Sequence, residues 1–277
     1  MPYLLIESLL QKALETYQIM FPMLRLSVYL LSALLISSCS VSSARFSHAI
    51  ALRPLNECVV LVHGLWRSGF AMNSIASDLE EHGYDTVSID YPSTQLEIPV
   101  LAERHLSDGL NECREKGAKH IHLVTHSMGG ILARQYLQTK RLPKGGKVVM
   151  LSPPNQGSEL SEKFGDSWWY KWIVGPAGIS LSQKRNGIIP RLKEIEEPVG
   201  VIAAYRNWSL WPESWLPTPN DGTVSVQSMR LAEMDDFVLV NSGHAMMRFN
   251  RETQYQIRHF LAKGTFFPAT SEKLSKR

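Results

Sequence analysis

Residues 120–130, read as His-Ile-His-Leu-Val-Thr-His-Ser-Met-Gly-Gly, restrict the fold more than any other stretch of this chain. An apolar, β-branched run of strand length turns sharply through His126-Ser127-Met128-Gly129, and a helical pattern follows at once from Ile131 through Tyr136. A serine at such a turn has two properties that ordinary serines lack. The turn lifts its Oγ clear of the sheet, and the N–H groups that open the next helix point toward any negative charge developing beside it. Gly129 and Gly130 suit the close approach of that helix to the strand it leaves. Ser127 is therefore the candidate nucleophile, set against the plainer reading of a serine in an ordinary strand-to-helix connection.

These residues resemble the nucleophile elbow of the α/β-hydrolases, G-x-S-x-G, with Thr125 where the first glycine is usual. Short apolar runs alternating with helical patterns extend the likeness. Residues 58–62 read as a strand buried on both faces, followed by His63-Gly64-Leu65-Trp66. Met72, Ile75 and Leu79 mark one helical face, and residues 86–89 make the next strand, closed by Asp90. Ala102, Leu106, Leu110 and Cys113 mark a second helix that ends before Gly117. Residues 147–151, 199–204 and 237–240 supply three more strands, and a closing helix is expected over about 248–263 with Gly264 beyond. This alternation predicts an α/β-hydrolase fold: a mainly parallel sheet of about six strands with helices on both faces, whose ligands bind at the carboxyl ends of the strands. The domain is expected over 57–264, followed by a frayed tail over 265–277.

Ser127, Asp221 and His244 follow one another in the α/β-hydrolase order of nucleophile, acid and base, each expected past a strand. In that role His244 takes the Ser127 proton and later delivers it to the leaving group, while Asp221 fixes the imidazole tautomer. His63 and His126 compete for the base by position, Asp90, Asp235 and Asp236 for the acid. His82, His105 and His259 read as surface or helix residues. The pair His63-Gly64 resembles the oxyanion loop of lipases and esterases, which implies backbone N–H donors at Leu65 and Met128. The resemblance as a whole is to small bacterial hydrolases related to lipases, with some likeness to deacylases of lipid-anchored glycans. It implies a serine ester hydrolase acting on a lipid or another acyl ester. An acyltransferase working through the same acyl-enzyme, and a non-catalytic envelope lipoprotein with this fold, are the alternatives.

A zinc-binding His-Glu-x-x-His, a phosphate-binding Gly-Lys-Ser/Thr loop and a dinucleotide fingerprint in context are all missing from the sequence, so no cofactor or metal is expected. The net charge of +3 over 277 residues, without a basic run interleaved with aromatics, gives no sign of a nucleic-acid partner. The sequon Asn207-Trp208-Ser209 is read as chance.

An apolar run over 26–36, preceded by Arg25, has the length of a secretory signal core and is short for a membrane span. It leads directly into Ile36-Ser37-Ser38-Cys39, which resembles a bacterial lipobox. The expectation is a signal peptide over 1–38, with the true start at Met20 or Met23, and a lipid anchor on Cys39. A tether over 39–56 would then hold the domain at the cell envelope. A plain signal peptide and an uncleaved anchor are the rival readings. Export would place Cys58 and Cys113 in an oxidising compartment, where a disulfide and two buried thiols both remain open. Finally, residues 153–197 are too long for a simple crossover and carry Trp168, Trp169, Tyr170, Trp172 and Ile173 together. This lid-like insertion either packs its aromatics inward or exposes them as an acyl-chain or membrane-facing surface.

Overall fold

A computed structural model describes residues 56–184, 186–208 and 212–268. The leader with Met20 and Met23, the lipobox cysteine Cys39, the tether up to residue 55, Ser209 of the sequon and residues 269–277 of the tail lie outside the described residues.

Strands β1 (Glu57–Val62), β2 (Asp85–Ile89), β3 (His120–His126), β4 (Val148–Leu151), β5 (Val199–Ala204) and β6 (Asp236–Val240) form one sheet in the order β2-β1-β3-β4-β5-β6. Every pairing is parallel, so the sheet is wholly rather than mainly parallel. Parallel strands need helical crossovers, which cover both faces and let the central strands be apolar throughout. Accordingly β1, β4 and β5 are buried at every position, whereas the edge strands β2 and β6 alternate with exposed residues.

The pleat sends successive β1 side chains into separate cores. Cys58, Val60 and Val62 enter one core with Leu106, Leu110 and Ile131, while Val59 and Leu61 enter the other with Ile75, Leu79, Ile257 and Phe260. The second core lies beneath α1 (Asn73–Glu81) and the closing helix α8 (Arg251–Lys263). The helix expected over 248–263 starts later because the Asn250 side chain accepts the Thr253 N–H at 3.0 Å, a cap that separates α8 from the 3₁₀ turn Met246–Phe249. The tail is not frayed from its first residue. Phe266 is buried against Phe260, and its N–H donates to Asp236, so Phe266 extends the second core while its neighbours stay exposed.

The first core lies beneath α2 (Ile98–Leu101), a π-helical stretch Ala102–Leu106, α3 (Ser107–Glu115) and α4 (Met128–Tyr136). Ala102, Leu106 and Leu110 recur every four residues, a spacing that drifts by about 40° per step on an ideal α-helix. The wider π turn returns them to one buried face. Cys113, at the same inner face of α3, forms a disulfide with Cys58 of β1, with their Cα atoms 5.7 Å apart.

Beyond β4 the chain forms α5 (Glu159–Phe164) and α6 (Trp168–Ser180), the latter bent at Gly175, and beyond β5 the short α7 (Val226–Met229). Gly175 has φ 65°, and a Cβ there would sit 1.8 Å from the Thr94 carbonyl oxygen, so glycine lets the insertion lie on the loop after β2. The aromatics divide between the two expectations. Trp169 and Tyr170 pack around Phe164, while Trp168 and Trp172, four residues apart on one helical face, are 80% and 84% exposed.

Candidate active site

The turn between β3 and α4 holds Ser127 at φ 56° and ψ −127°, a conformation that non-glycine residues rarely adopt. It is fixed from both sides, because the Ser127 N–H donates to the Leu151 carbonyl at 2.8 Å and its own carbonyl accepts from Gly130 at 2.9 Å. The tightness of the turn depends on Gly129. A Cβ at that residue would lie 2.6 Å and 2.7 Å from the carbonyl oxygens of Val62 and His63, main-chain atoms that cannot step aside. Thr125, where the elbow pattern has glycine, is fully buried, with its hydroxyl 3.5 Å from the Val149 carbonyl.

Ser127 Oγ lies 3.0 Å from His244 Nε2, and His244 Nδ1 lies 2.7 Å from Asp221 Oδ2. The three side chains proposed from chain order therefore meet in one hydrogen-bonded line. Because the Asp221 oxygen accepts, the Nδ1–H donates, which leaves Nε2 free to take the Ser127 proton. Asp221 is buried, and its other oxygen accepts the N–H groups of Thr223 and Val224, each at 2.9 Å. Both carboxylate oxygens are thus occupied and the group has no freedom to rotate.

Asp221 lies well along the loop that follows β5, past its Trp-rich part. It is returned to the sheet edge by a tight turn in which its N–H meets the Val224 carbonyl at 3.1 Å. The His244 N–H also donates to the Asp221 carbonyl, at 3.0 Å, so acid and base are joined through the main chain as well as through their side chains.

The loop after β1 lies directly against the serine. A Cβ on Gly64 would be 3.0 Å from the Ser127 Cβ, so a side chain there would press on the serine and its neighbour His126. His63 supports the loop from beneath. Its ring stacks on Tyr91 at 4.0 Å, its Nδ1–H donates to the Gly64 carbonyl at 2.8 Å, and its own carbonyl accepts the Tyr91 hydroxyl. Burial lowers the His63 pKa and raises that of Tyr91, so both rings stay neutral at neutral pH. The competing base candidates are thereby separated. His63 and His126 do not reach Ser127 Oγ, and His63 serves the loop. Asp90, the rival acid, has an exposed side chain and accepts the Gly69 N–H at 2.6 Å.

Two supporting residues carried no signal in the sequence. The Ser93 hydroxyl accepts the Trp66 N–H at 3.0 Å and fixes the exit of the β1 loop. Buried Arg248 donates to the Ala71 carbonyl at 2.6 Å and to the Ala245 carbonyl at 3.1 Å, joining the segment after His244 to the segment after Trp66. A serine and an arginine in irregular segments have no periodicity to mark them.

The family described as "Alpha/beta hydrolase family" matches residues 59–253, which include the elbow, the acid and the base. The chain belongs to this family. Its fold is similar to that of a Bacillus licheniformis lipase, BlEst2, in mature form, at 20% identity and a TM-score of 0.62, over 78% of this chain and 95% of that one. It is also similar to the Pyrococcus furiosus esterase PF2001, at 17% identity and a TM-score of 0.51, over 75% and 81% of the two chains. No curated protein matches the sequence. At such identities the likeness is one of fold, and this hydrolase's chemistry has to be argued from its own side chains.

Proposed function

We propose that this α/β-hydrolase is a serine ester hydrolase acting on acyl lipids or other esters with an apolar acyl part. The observation that carries the reading is the unbroken line from Ser127 Oγ through His244 to a fully occupied Asp221 carboxylate. Ser127 Oγ attacks the ester carbonyl as its proton passes to His244 Nε2. The N–H groups of Leu65 and Met128 hold the oxyanion, a contribution worth ~3 kcal/mol per donor. Collapse expels the alcohol with the proton from His244 and leaves the acyl group on Ser127. Water, deprotonated by His244, then releases the carboxylic acid and restores the serine. Nothing in these steps requires a cofactor.

The apolar part of the substrate is argued from the rim of the site. Trp66, Phe70, Trp168, Trp172, Trp208 and Phe249 are all exposed, and all lie in the segments that follow β1, β4, β5 and β6 at their carboxyl ends. The segments touch one another. Trp66 Nε1 donates to the Ile173 carbonyl at 2.8 Å, and a Cβ on Gly243, beside the catalytic base, would be 2.9 Å from the Trp208 ring. Aromatic rings exposed in this number around a reactive centre suit an acyl chain or a lipid surface. The lid-like role of the insertion belongs to the same proposal. Replacing Trp168 and Trp172 together by serine is expected to leave turnover of a soluble acetate ester unchanged and to cut turnover of a long-chain ester in phospholipid vesicles by about tenfold. A tenfold loss corresponds to about 1.4 kcal/mol, less than full burial of one indole provides. Equal losses on both substrates would sink the rim argument.

Hydrolysis is tested by titrating the purified domain with a fluorophosphonate and then measuring products of p-nitrophenyl esters with and without an added alcohol. Free acid as the main product supports hydrolysis, whereas transfer to the alcohol would favour an acyltransferase. A folded chain that neither labels nor turns over would return the non-catalytic alternative. Export as a lipoprotein anchored through Cys39 is part of the proposal. It predicts incorporation of a palmitate analogue that is lost in Cys39→Ala, and incorporation unaffected by that change would overturn it.

A further inference from the structure

His126 stands beside the nucleophile but has no part in the proton path, and its surroundings suit a ring with work to do. Only 3% of it is exposed. Its Nε2 lies 2.9 Å from the main-chain carbonyl of His244. A carbonyl only accepts, so Nε2 bears the proton and Nδ1 is a bare lone pair. That Nδ1 is buried and has no hydrogen-bond partner among the described residues. A Cβ added to Gly64 would lie 3.2 Å from it, so this side of the ring faces the Gly64 main chain. The ring is therefore wedged between the loop that approaches Ser127 and the loop that carries the base. Its face also meets the His244 ring, with centroids 4.8 Å apart.

His244 is thus held at three points: its ring by Asp221, its N–H by the Asp221 carbonyl, and its own carbonyl by His126. Without the third, the His244 peptide keeps its acid but loses the anchor on its carbonyl, and any shift about the Asp221 side changes the distance to Ser127 Oγ. We propose that His126 is a positioning residue that fixes the catalytic base on Ser127 through its Nε2–H bond to the His244 carbonyl. The inference rests on the serine-hydrolase reading above. The charged and titratable groups around the ring are His244, Asp221 behind it, Arg248 from the following 3₁₀ turn and Arg67 from the β1 loop. Burial first, then the nearness of His244 and Arg248, disfavour the imidazolium of His126, and this keeps the Nδ1 lone pair bare while His244 cycles through its charged form.

Two amides separate this role from mere packing. In His126→Gln the side-chain nitrogen reaches the place of Nε2 and can donate to the His244 carbonyl. In His126→Asn it reaches only the place of Nδ1, toward Gly64. With p-nitrophenyl butyrate, His126→Gln is expected to retain kcat within about threefold. His126→Asn is expected to lose about ten- to a hundredfold in kcat with KM little changed, the scale of a displaced catalytic group. Fluorophosphonate labelling should slow in the same ratio. The acid limb of the pH profile should keep its midpoint in His126→Gln, since the group that titrates there is not His126.

Equal kcat in the two variants, whether both high or both low, overturns the inference, as does a shifted or missing acid limb in His126→Gln. Failure of wild type to label or turn over, with Ser127→Ala as the control, overturns the hydrolase reading instead.

Discussion

Replacing Ser127 by glycine is expected to abolish fluorophosphonate labelling, lower ester turnover by about 10⁴-fold or more, and make the folded domain more stable by about 1 kcal/mol. The loss of activity follows from the site. Among the described residues Ser127 Oγ alone lies at hydrogen-bond distance from His244 Nε2, and on the proposed mechanism what remains without it is binding and polarisation of the ester by backbone donors. The gain in stability follows from the backbone. At φ 56° and ψ −127° a side chain is held in a sparsely populated region at a cost of roughly 1–3 kcal/mol. Glycine relieves that cost and loses only about 0.5–1 kcal/mol through its freer unfolded state. Ser127→Ala removes the nucleophile but keeps a Cβ in the same conformation, so its stability should stay within about 0.5 kcal/mol of wild type. Urea unfolding of the three proteins, with labelling alongside, separates the two effects. Labelling that persists in either variant would remove Ser127 as the nucleophile. If the glycine and alanine variants are equally stable, the strain relieved at Ser127 is no larger than the roughly 0.5–1 kcal/mol that glycine loses through its unfolded state.

The same backbone conformation explains why this part of the molecule could be read from sequence. A turn this tight demands glycine where the helix passes the strand, so the requirement of the main chain at Gly129 is written as a residue type. The central strands were legible for a similar reason, since burial on both faces leaves uninterrupted apolar runs. Asp221 was found by its turn chemistry, although its route back to the sheet edge was not, because a long irregular loop has no period to follow. The π stretch at 102–106 left a trace only in the four-residue spacing of Ala102, Leu106 and Leu110. His126 was visible only as a rival for the base. Its bond is to a main-chain carbonyl 118 residues away, and no pattern in a sequence marks which carbonyl a buried imidazole will meet. The insertion divided because a helix with aromatics on every side must show some of them to solvent once Trp169 and Tyr170 have settled on Phe164.

Breaking the Cys58–Cys113 bond is expected to have the largest effect on stability of any change outside the elbow. The spacing of the two cysteines could not decide whether they pair, because 55 residues separate them in sequence and only the fold brings them together. In the structure β1 carries Cys58 into the same core as the inner face of α3, so the bond ties the lower end of the central sheet to the helix that covers it. Closing a loop of 55 residues removes conformational entropy from the unfolded chain worth ~4 kcal/mol on the chain-entropy account. For a domain of this size that amounts to a fall of roughly 8–16 °C in Tm when both cysteines become serine. A smaller fall is expected on reduction alone, where the buried thiols still pack.

The site lies at the opposite, carboxyl ends of the strands, so kcat at 25 °C should change by less than about twofold in the serine pair, which distinguishes a global loss of stability from damage to the elbow. A Tm unchanged by both reduction and substitution would mean that the cysteines do not pair in solution. The outcome also bears on where the protein works. A bond contributing this much is of use only in an oxidising compartment, so a large fall in Tm would support the proposed export on grounds independent of Cys39.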